Sequence, residues 1–364
     1  MTRQGLMSRL YLQALPPDHP PYRVDDEVYR RFDQRNNLTV GRPTWDESVI
    51  QFSRQAPATR ATHIRSGRPG YGLQDYSLFL AGGVTVWSLD TSINHANRGL
   101  TSWGSLGAKL PAGVEPWSGS PEAATAMVKR VARYFGADLV GIAPLDRRWI
   151  FSHAWWADGT HKEIVFDSVD EPTETEDQLV IPERMRCVIV MGTRMDPDLI
   201  RYTPSPVGCA ETRITYSRMG LQVAGLAEFL RGIGCQAIPS INGLGLSIPM
   251  AIDSGFGEQG RNGKLITPEF GPSVRLSKVL TDLPLVRDNP IHFGAAEFCD
   301  SCRKCAAACP VDAITMGERT WARDNISNSP GQFTWHLDNE LCLSLIHISE
   351  PTRQLTQSRM PSSA

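Results

Sequence analysis

The sequence predicts an α/β protein in which helices and strands alternate and pack as layers. Residues 120–136 begin with Ser-Pro, a helix start signal, and end at a glycine, and 138–143 has the apolar pattern of a strand. A longer helix is predicted over 210–232, a strand over 236–241 and a further strand over 274–280. The chain has 364 residues, 41% of them hydrophobic, which is enough for one large domain or two.

The remaining segments are assigned in chain order. Residues 1–70 lack periodicity, which favours an arm that wraps over the body, and the aromatic-rich residues 71–118 favour ordinary packing over a pocket wall. Residues 146–183 form a polar insert whose acidic run is expected to be solvated. The run 186–191 predicts a buried strand, and the Pro-rich 284–290 predicts a domain boundary.

Four cysteines near the end of the chain follow the spacing CxxCxxCxxxCP: Cys299, Cys302, Cys305 and Cys309. In bacterial proteins with this run, the first three thiolates hold one [4Fe–4S] cluster and the fourth belongs to a second cluster. A zinc site usually pairs two separated CxxC units, so the spacing favours clusters over zinc or disulfides. The motif therefore predicts two 4Fe-4S clusters and electron transfer.

Cys342 is the only further cluster ligand that the sequence offers near this motif. The other cysteines are scattered through the middle of the chain and are expected to be buried thiols: Cys187, Cys209 and Cys235. From Leu343 the sequence resembles a translated sequencing adapter, so 343–364 is predicted to be an artefactual tail. We therefore expect the natural chain to continue past Cys342, and neither cluster to have all its ligands in this sequence.

Composition and charge limit the partners. A net charge of −2 and a pI near 6.5 provide no long-range attraction to nucleic acid or anionic lipid. No apolar run approaches the ~18 residues of a membrane span. Without an export signal, the sequence as it stands predicts a cytoplasmic protein with a small or neutral substrate.

Four stretches, taken in order, resemble the reductive dehalogenases, a corrinoid and iron–sulfur family that removes halide from organohalides. They are 29–36, 226–242, 265–286 and the cysteine run. The resemblance implies a nitroreductase-like, corrinoid-binding core followed by a ferredoxin-like 4Fe-4S module, here incomplete. The predicted division is an arm at 1–70, a catalytic core at 71–289, a partial cluster domain at 290–342, and the tail.

The resemblance also implies a catalytic set: Tyr216 as proton donor, Arg275 as its electrostatic partner, and Asn242 as a residue that orients the halide or the phenol. Helix and strand lengths agree with this set. A helix from Tyr216 to Arg231 advances roughly 22 Å, and a strand from Cys235 to Asn242 returns roughly 23 Å, which would place Asn242 near Tyr216. Without the resemblance, Tyr216 would be read as a core residue and Arg275 as a surface charge.

A Gly-rich segment looks like the corrinoid-binding loop of that family. The candidate binding residues are Gly255, Gly257, Gly260, Gly263, Lys264, Leu265 and Thr267. Glycines let backbone approach a large ligand closely, and a plain flexible turn is the alternative. The Gly-x-Gly-x-x-Gly at 255–260 follows no clear strand, so it is not a dinucleotide fingerprint.

The implied partners are a small organohalide and an electron donor, either a protein or a membrane quinol system. A membrane anchor protein and a membrane-associated place in the cell envelope are implied for a longer chain. Two alternatives stay open: an epoxyqueuosine reductase-like enzyme that acts on tRNA, and a non-catalytic ferredoxin-type electron carrier. The absence of a basic face from the composition argues against the first, and the long upstream region argues against the second.

Overall fold

The computed structural model describes residues 12–83, 85, 99–156, 158–323 and 325–347. Its strands are β1 Gln13–Ala14, β2 Leu139–Pro144, β3 His153–Trp155, β4 His161–Asp167, β5 Thr173–Glu174, β6 Gln178–Pro182, β7 Cys187–Arg194, β8 Ala237–Ser240, β9 Glu258–Gln259, β10 Leu265–Ile266, β11 Val274–Thr281 and β12 Ile291–His292. Its helices are α1 Glu47–Ser66, α2 Leu73–Gly82, α3 Pro121–Tyr134, α4 Pro197–Ile200, α5 Pro206–Gly232, α6 Ser247–Asp253, α7 Ala295–Cys302, α8 Lys304–Ala307 and α9 Asn339–His347. Short 3₁₀ turns lie at Gln34–Asn36, Arg42–Thr44, Gly99–Thr101 and Arg147–Trp149.

A four-stranded antiparallel sheet with the order β2-β7-β11-β8 forms the centre of the fold. Strand β7 is buried along nearly its whole length, as its continuous apolar sequence predicts for a strand covered on both faces. Helices α3 and α5 cover one face, where Met219 and Leu226 pack against Val279. Helix α6 and aromatic residues such as Trp149 cover the other face. The layered α/β class is therefore confirmed.

The predicted core elements are present with small differences in their bounds. Helix α3 starts at Pro121, where Ser120 Oγ accepts a hydrogen bond from the Ala123 N–H at 3.3 Å. Helix α5 starts at Pro206, four residues before the predicted start at 210, because Pro206 itself occupies the first helical turn. These two helices position the site described below.

The insert at 146–183 is more ordered than its polar composition suggests. It contains a second sheet with the order β3-β4-β6-β5, in which the β4–β6 pair is parallel. Its inward side chains are fully buried, as at Ile164, Leu179 and Ile181. Strand β5, within the acidic run, is exposed on both residues. The run is thus on the surface, as expected, although it pairs as an edge strand.

The first 70 residues include a helix that the sequence analysis missed. Helix α1 begins after Asp46, whose carboxylate accepts from the Ser48 N–H at 3.1 Å, and ends at Gly67 with φ +64°. The preceding segment runs along the body and buries Tyr29 and Phe32 in the core. Residues 1–11 of the predicted arm and 348–364 of the predicted tail lie outside the described residues.

The cysteine-rich segment follows residues 284–290, which have no regular secondary structure. It consists of α7, α8, a series of turns and α9, and α9 runs through position 343. Asp288 of the connecting segment pairs with Lys129 of α3 at 2.6 Å. Of the helices in the described ranges, none combines the length and apolarity needed to cross a membrane.

Candidate active site

Tyr216, Arg275 and Asn242 meet beside the central sheet. Arg275 Nη1 donates to the Tyr216 phenol oxygen at 3.2 Å, and Asn242 Nδ2 donates to the same oxygen. The Arg275 guanidinium carbon also lies 5.1 Å from the centre of the Tyr216 ring. After Tyr216, helix α5 runs away from this site, and strand β8 runs back toward it and ends just before Asn242. The three predicted residues are therefore neighbours. Their catalytic roles remain a prediction.

Thr212 belongs to the same group, and sequence reasoning missed it. Arg275 Nη2 donates to Thr212 Oγ1 at 3.2 Å. Thr212 precedes Tyr216 by four residues on α5, a spacing that places both side chains on one helix face. Within the described part of the chain, Arg275 Nε is buried without a hydrogen-bond partner and no salt bridge engages the guanidinium. Its positive charge is therefore available to the Tyr216 phenol.

A buried lysine supports the loop that carries Asn242. Lys278 of β11 is 1% exposed, and its Nζ donates to Ser247 Oγ at 2.9 Å and to the Ile241 carbonyl at 3.4 Å. Burial lowers the pKa of Lys278 to about 7. The signal in the sequence was a lone lysine among the apolar residues of a predicted strand.

The glycines of the predicted corrinoid loop are required for packing within the protein. A Cβ on Gly257 would lie 1.9 Å from the Ile266 carbonyl oxygen, and one on Gly263 would lie 2.6 Å from a Leu337 methyl group. A Cβ on Gly260 would meet the Ile266 side chain at 2.8 Å. Gly255 is in the left-handed region, with φ +78°. Internal packing thus explains these glycines, and contact with a ligand remains a prediction for them.

The candidate binding residues Lys264, Leu265 and Thr267 differ in their exposure to solvent. The protein encloses the side chains of Leu265 and Thr267, whereas Lys264 is accessible to solvent. Even so, burial lowers the pKa of Lys264, and the charge of Arg275 lowers it further while Cys342 opposes both. Lys264 therefore lies within electrostatic reach of both Arg275 and Cys342.

The cysteines of the motif approach one another in two sets. Burial raises the pKa of Cys305, and the charge of Cys299 raises it further. Burial likewise raises the pKa of Cys342, where Lys264 opposes the shift and Cys309 adds to it. All eight cysteines are free thiols. Cys305 thus lies near Cys299, and Cys342 lies near Cys309, while the assignment of cysteines to two clusters remains a prediction.

A single metal ion would need a tighter arrangement of these thiols. Zinc ligands at ~2.3 Å from the metal bring sulfur atoms within ~4 Å of one another. In the described ranges, the one group of three potential ligand atoms within 4.8 Å of each other consists of Glu258, His292 and Glu297, and contains no cysteine. No three of the described thiols therefore have the spacing of a single-metal site.

A cavity of about 240 Å³ with a mixed polar and apolar lining lies on the α6 side of the sheet. The start of α6, residues 22–24 of the first segment and residues 327–334 enclose it. Ser247, the residue that accepts from Lys278, is part of its wall. The volume is below the usual 300–1,000 Å³ of small-molecule sites.

The described cysteine segment matches a known iron–sulfur family. Residues 298–346 match the family model of the 4Fe-4S dicluster domain. This match covers the motif and Cys342, and therefore supports iron–sulfur ligation by this segment.

Relatives with known names match most of the chain. It is 39% identical over 322 residues to a tetrachloroethene reductive dehalogenase of Sulfurospirillum multivorans, covering 82% of this chain and 62% of that protein. It is 38% identical over 248 residues to a tetrachloroethene reductive dehalogenase of Dehalobacter restrictus, covering 61% of this chain and 45% of that protein. The chain thus spans about half to three fifths of the length of these relatives.

The fold is also similar to a solved structure, described as a reductive dehalogenase structure that suggests a mechanism for B12-dependent dehalogenation. The TM-score is 0.62 at 20% identity, over 93% of this chain and 41% of the other. At that identity the match supports the fold alone. The sequence relatives show that this chain belongs to the reductive dehalogenase family.

Proposed function

We propose that this chain carries the catalytic centre of a reductive dehalogenase that acts on a small organohalide. In this reaction the substrate R–X takes up two electrons and one proton, and yields R–H and a halide ion. The observation that carries the proposal is the pair of hydrogen bonds from Arg275 and Asn242 to the Tyr216 phenol oxygen. The names of the relatives support the substrate class.

The two hydrogen bonds suit Tyr216 to proton donation. A phenol oxygen has two lone pairs and one O–H, and both lone pairs are engaged by donors in this amide orientation. The O–H is then free to point at a substrate carbon. When the proton leaves, the phenolate stays hydrogen-bonded to a guanidinium that is charged at any working pH. Arg275 and Asn242 thus stabilise the product of the proton transfer.

Thr212 fixes the direction of Arg275. It engages Nη2 while Nη1 meets Tyr216, so the planar guanidinium has two contacts on one face of α5. Because no salt bridge in the described ranges offsets its charge, the full cation acts on the phenol oxygen. We assign Thr212 as a positioning residue.

The proposal includes two kinds of cofactor, iron–sulfur clusters and a corrinoid. Cys299, Cys302 and Cys305 would hold one 4Fe-4S cluster, and Cys309 and Cys342 would contribute to a second. A reduced corrinoid, when bound, supplies the electrons that break the carbon–halogen bond. Lys264 interacts electrostatically with both Arg275 and Cys342, which supports a corrinoid position between the Tyr216 group and the cysteines. The electrons would enter through the clusters from a donor that the proposal leaves unnamed.

The test is halide release by the reconstituted chain. The protein would be loaded anaerobically with iron, sulfide and a cobamide, reduced with a viologen dye, and given tetrachloroethene and a panel of chlorinated alkenes and phenols. Release of one halide ion per molecule of dehalogenated product supports the proposal. A chain that binds the corrinoid, releases no halide and reduces epoxyqueuosine in a tRNA stem loop would overturn it. A chain that binds iron but no corrinoid would instead be an electron carrier.

A further inference from the structure

Helix α7 carries Cys299 and Cys302 and needs partners at both of its ends. Its eight residues span ~12 Å, and the first N–H and last C=O groups of any helix lack partners within the helix. Gly294 and Arg303 flank it in left-handed conformations, and neither side chain caps the helix. The partners come instead from the short segment Glu258 to Arg261.

Glu258 caps the first turn of α7. Its carboxylate accepts from the Ala295 N–H at 2.6 Å and from the Ala296 N–H at 3.2 Å. It also contacts His292 Nδ1 at 2.5 Å, and its side chain is completely buried. A carboxylate at this position is favoured by the positive end of the helix dipole.

Arg261 holds the last turn of the same helix. Its Nε donates to the Cys299 carbonyl at 3.0 Å, and its Nη2 donates to the Asp300 carbonyl at 3.3 Å. Its Nη1 donates to the carbonyls of Thr315 at 2.9 Å and Gly317 at 2.5 Å. One guanidinium therefore joins the end of α7 to the turn at 315–317.

The charge of Arg261 is buried and lacks an acidic partner. The side chain is 1% exposed, and no salt bridge in the described ranges includes it. Its guanidinium carbon lies 4.9 Å from the centre of the Trp335 ring, a cation–π contact. A whole positive charge is thus held against the backbone of the helix that carries Cys299 and Cys302, two ligands of one predicted cluster.

We propose that Arg261 is a positioning residue for the cluster on Cys299, Cys302 and Cys305, and that its buried charge raises the reduction potential of that cluster. The inference rests on the cluster ligation within the proposed function, and not on dehalogenation. One electron added to the cluster makes its net charge more negative, and the added charge interacts favourably with a nearby cation. The interaction is stronger than one between exposed charges because Arg261 itself is buried.

The test uses the full chain loaded with iron and sulfide, without corrinoid. Three variants would be compared with the parent: Arg261→Gln, Arg261→Lys, and Arg54→Gln as a control on α1. Arg54 is 71% exposed, so its loss changes the net charge equally without removing a buried cation. A dye-mediated redox titration followed by electron paramagnetic resonance measures the potential as the dye gives one electron to the cluster. Iron per chain is measured on the same samples.

We expect Arg261→Gln to lower the reduction potential of one cluster. Arg261→Lys should keep a potential close to that of the parent, and Arg54→Gln should leave the potential unchanged. If Arg261→Gln holds no iron, the lysine variant decides: a parent-like potential with full iron supports the role of the charge. An unchanged potential in Arg261→Gln with full iron would overturn the proposal, and so would a parent chain that assembles no cluster. Failure of halide release with a shifted potential would refute the proposed function alone.

Discussion

The buried Lys278 provides a prediction that needs neither cofactor nor substrate. We consider Lys278→Met, which keeps the length of the side chain and removes its charge. The lysine is 1% exposed and lies at the centre of the sheet, and Ser247 and the Ile241 carbonyl are its hydrogen-bond partners. The nearest carboxylate on α6, Asp253, is engaged by Tyr22 and Trp149.

The magnitude follows from the difference in pKa. Burial lowers the pKa of Lys278 from 10.5 to about 7, so at pH 6 its protonation disfavours the folded state by about 5 kcal/mol. The methionine loses two hydrogen bonds, each worth about 1 kcal/mol. At pH 6 the free energy of unfolding of the variant should therefore be about 2–4 kcal/mol higher than that of the parent, so the variant is the more stable protein.

The pH dependence has a definite sign. Between pH 7 and 10.5 the unfolded state binds the extra proton, so the stability of the parent rises with pH. The advantage of the methionine variant should therefore shrink by about 3 kcal/mol between pH 6 and pH 9. Urea unfolding of the apo chain at both pH values measures this, with Lys109→Met as the control because Lys109 is exposed. A stability difference that does not change with pH would refute the reasoning.

Two other predictions concern the site and its neighbouring loop. Arg275→Met should lower the rate of halide release about 10- to 100-fold through loss of a charged hydrogen bond to Tyr216, and Arg275→Lys should lower it less. Steady-state kinetics at matched corrinoid content measures both rates, and equal rates for the two variants would contradict this prediction. Gly257→Ala should destabilise the chain by more than 1 kcal/mol, because its Cβ would lie 1.9 Å from the Ile266 carbonyl oxygen. Thermal unfolding with Gly271→Ala as the control, an open position that also has positive φ, separates the clash from backbone strain.

The central sheet and its helices could be predicted because their signals are local. Ser120, Pro121 and Gly136 mark the ends of α3 directly, and the apolar run of β7 predicts a strand buried on both faces. Helix α1 was missed because few of its side chains are buried and its sequence therefore lacks an apolar stripe. Its only clear signals were the Asp46 cap and Gly67.

The candidate catalytic group was predictable only through the resemblance, whereas its supporting residues were not predicted at all. Tyr216, Asn242 and Arg275 are far apart in sequence, and the register of β11 decides which side chain faces α5. The same register turns Arg275 toward Thr212 and Lys278 toward Ser247. Arg261 was passed over because a Gly-rich segment suggested a ligand loop, whereas its role depends on contacts with a helix 38 residues away.

The comparison of Tyr216→Phe with the parent tests the central claim most directly. Both proteins would be loaded to the same corrinoid and iron content, and halide release would be measured at saturating substrate, with Tyr134→Phe as an exposed control. The account predicts at least a ~100-fold loss for Tyr216→Phe, because proton donation from the phenol is removed. It predicts no change for Tyr134→Phe. Parent-like halide release by Tyr216→Phe would contradict the account.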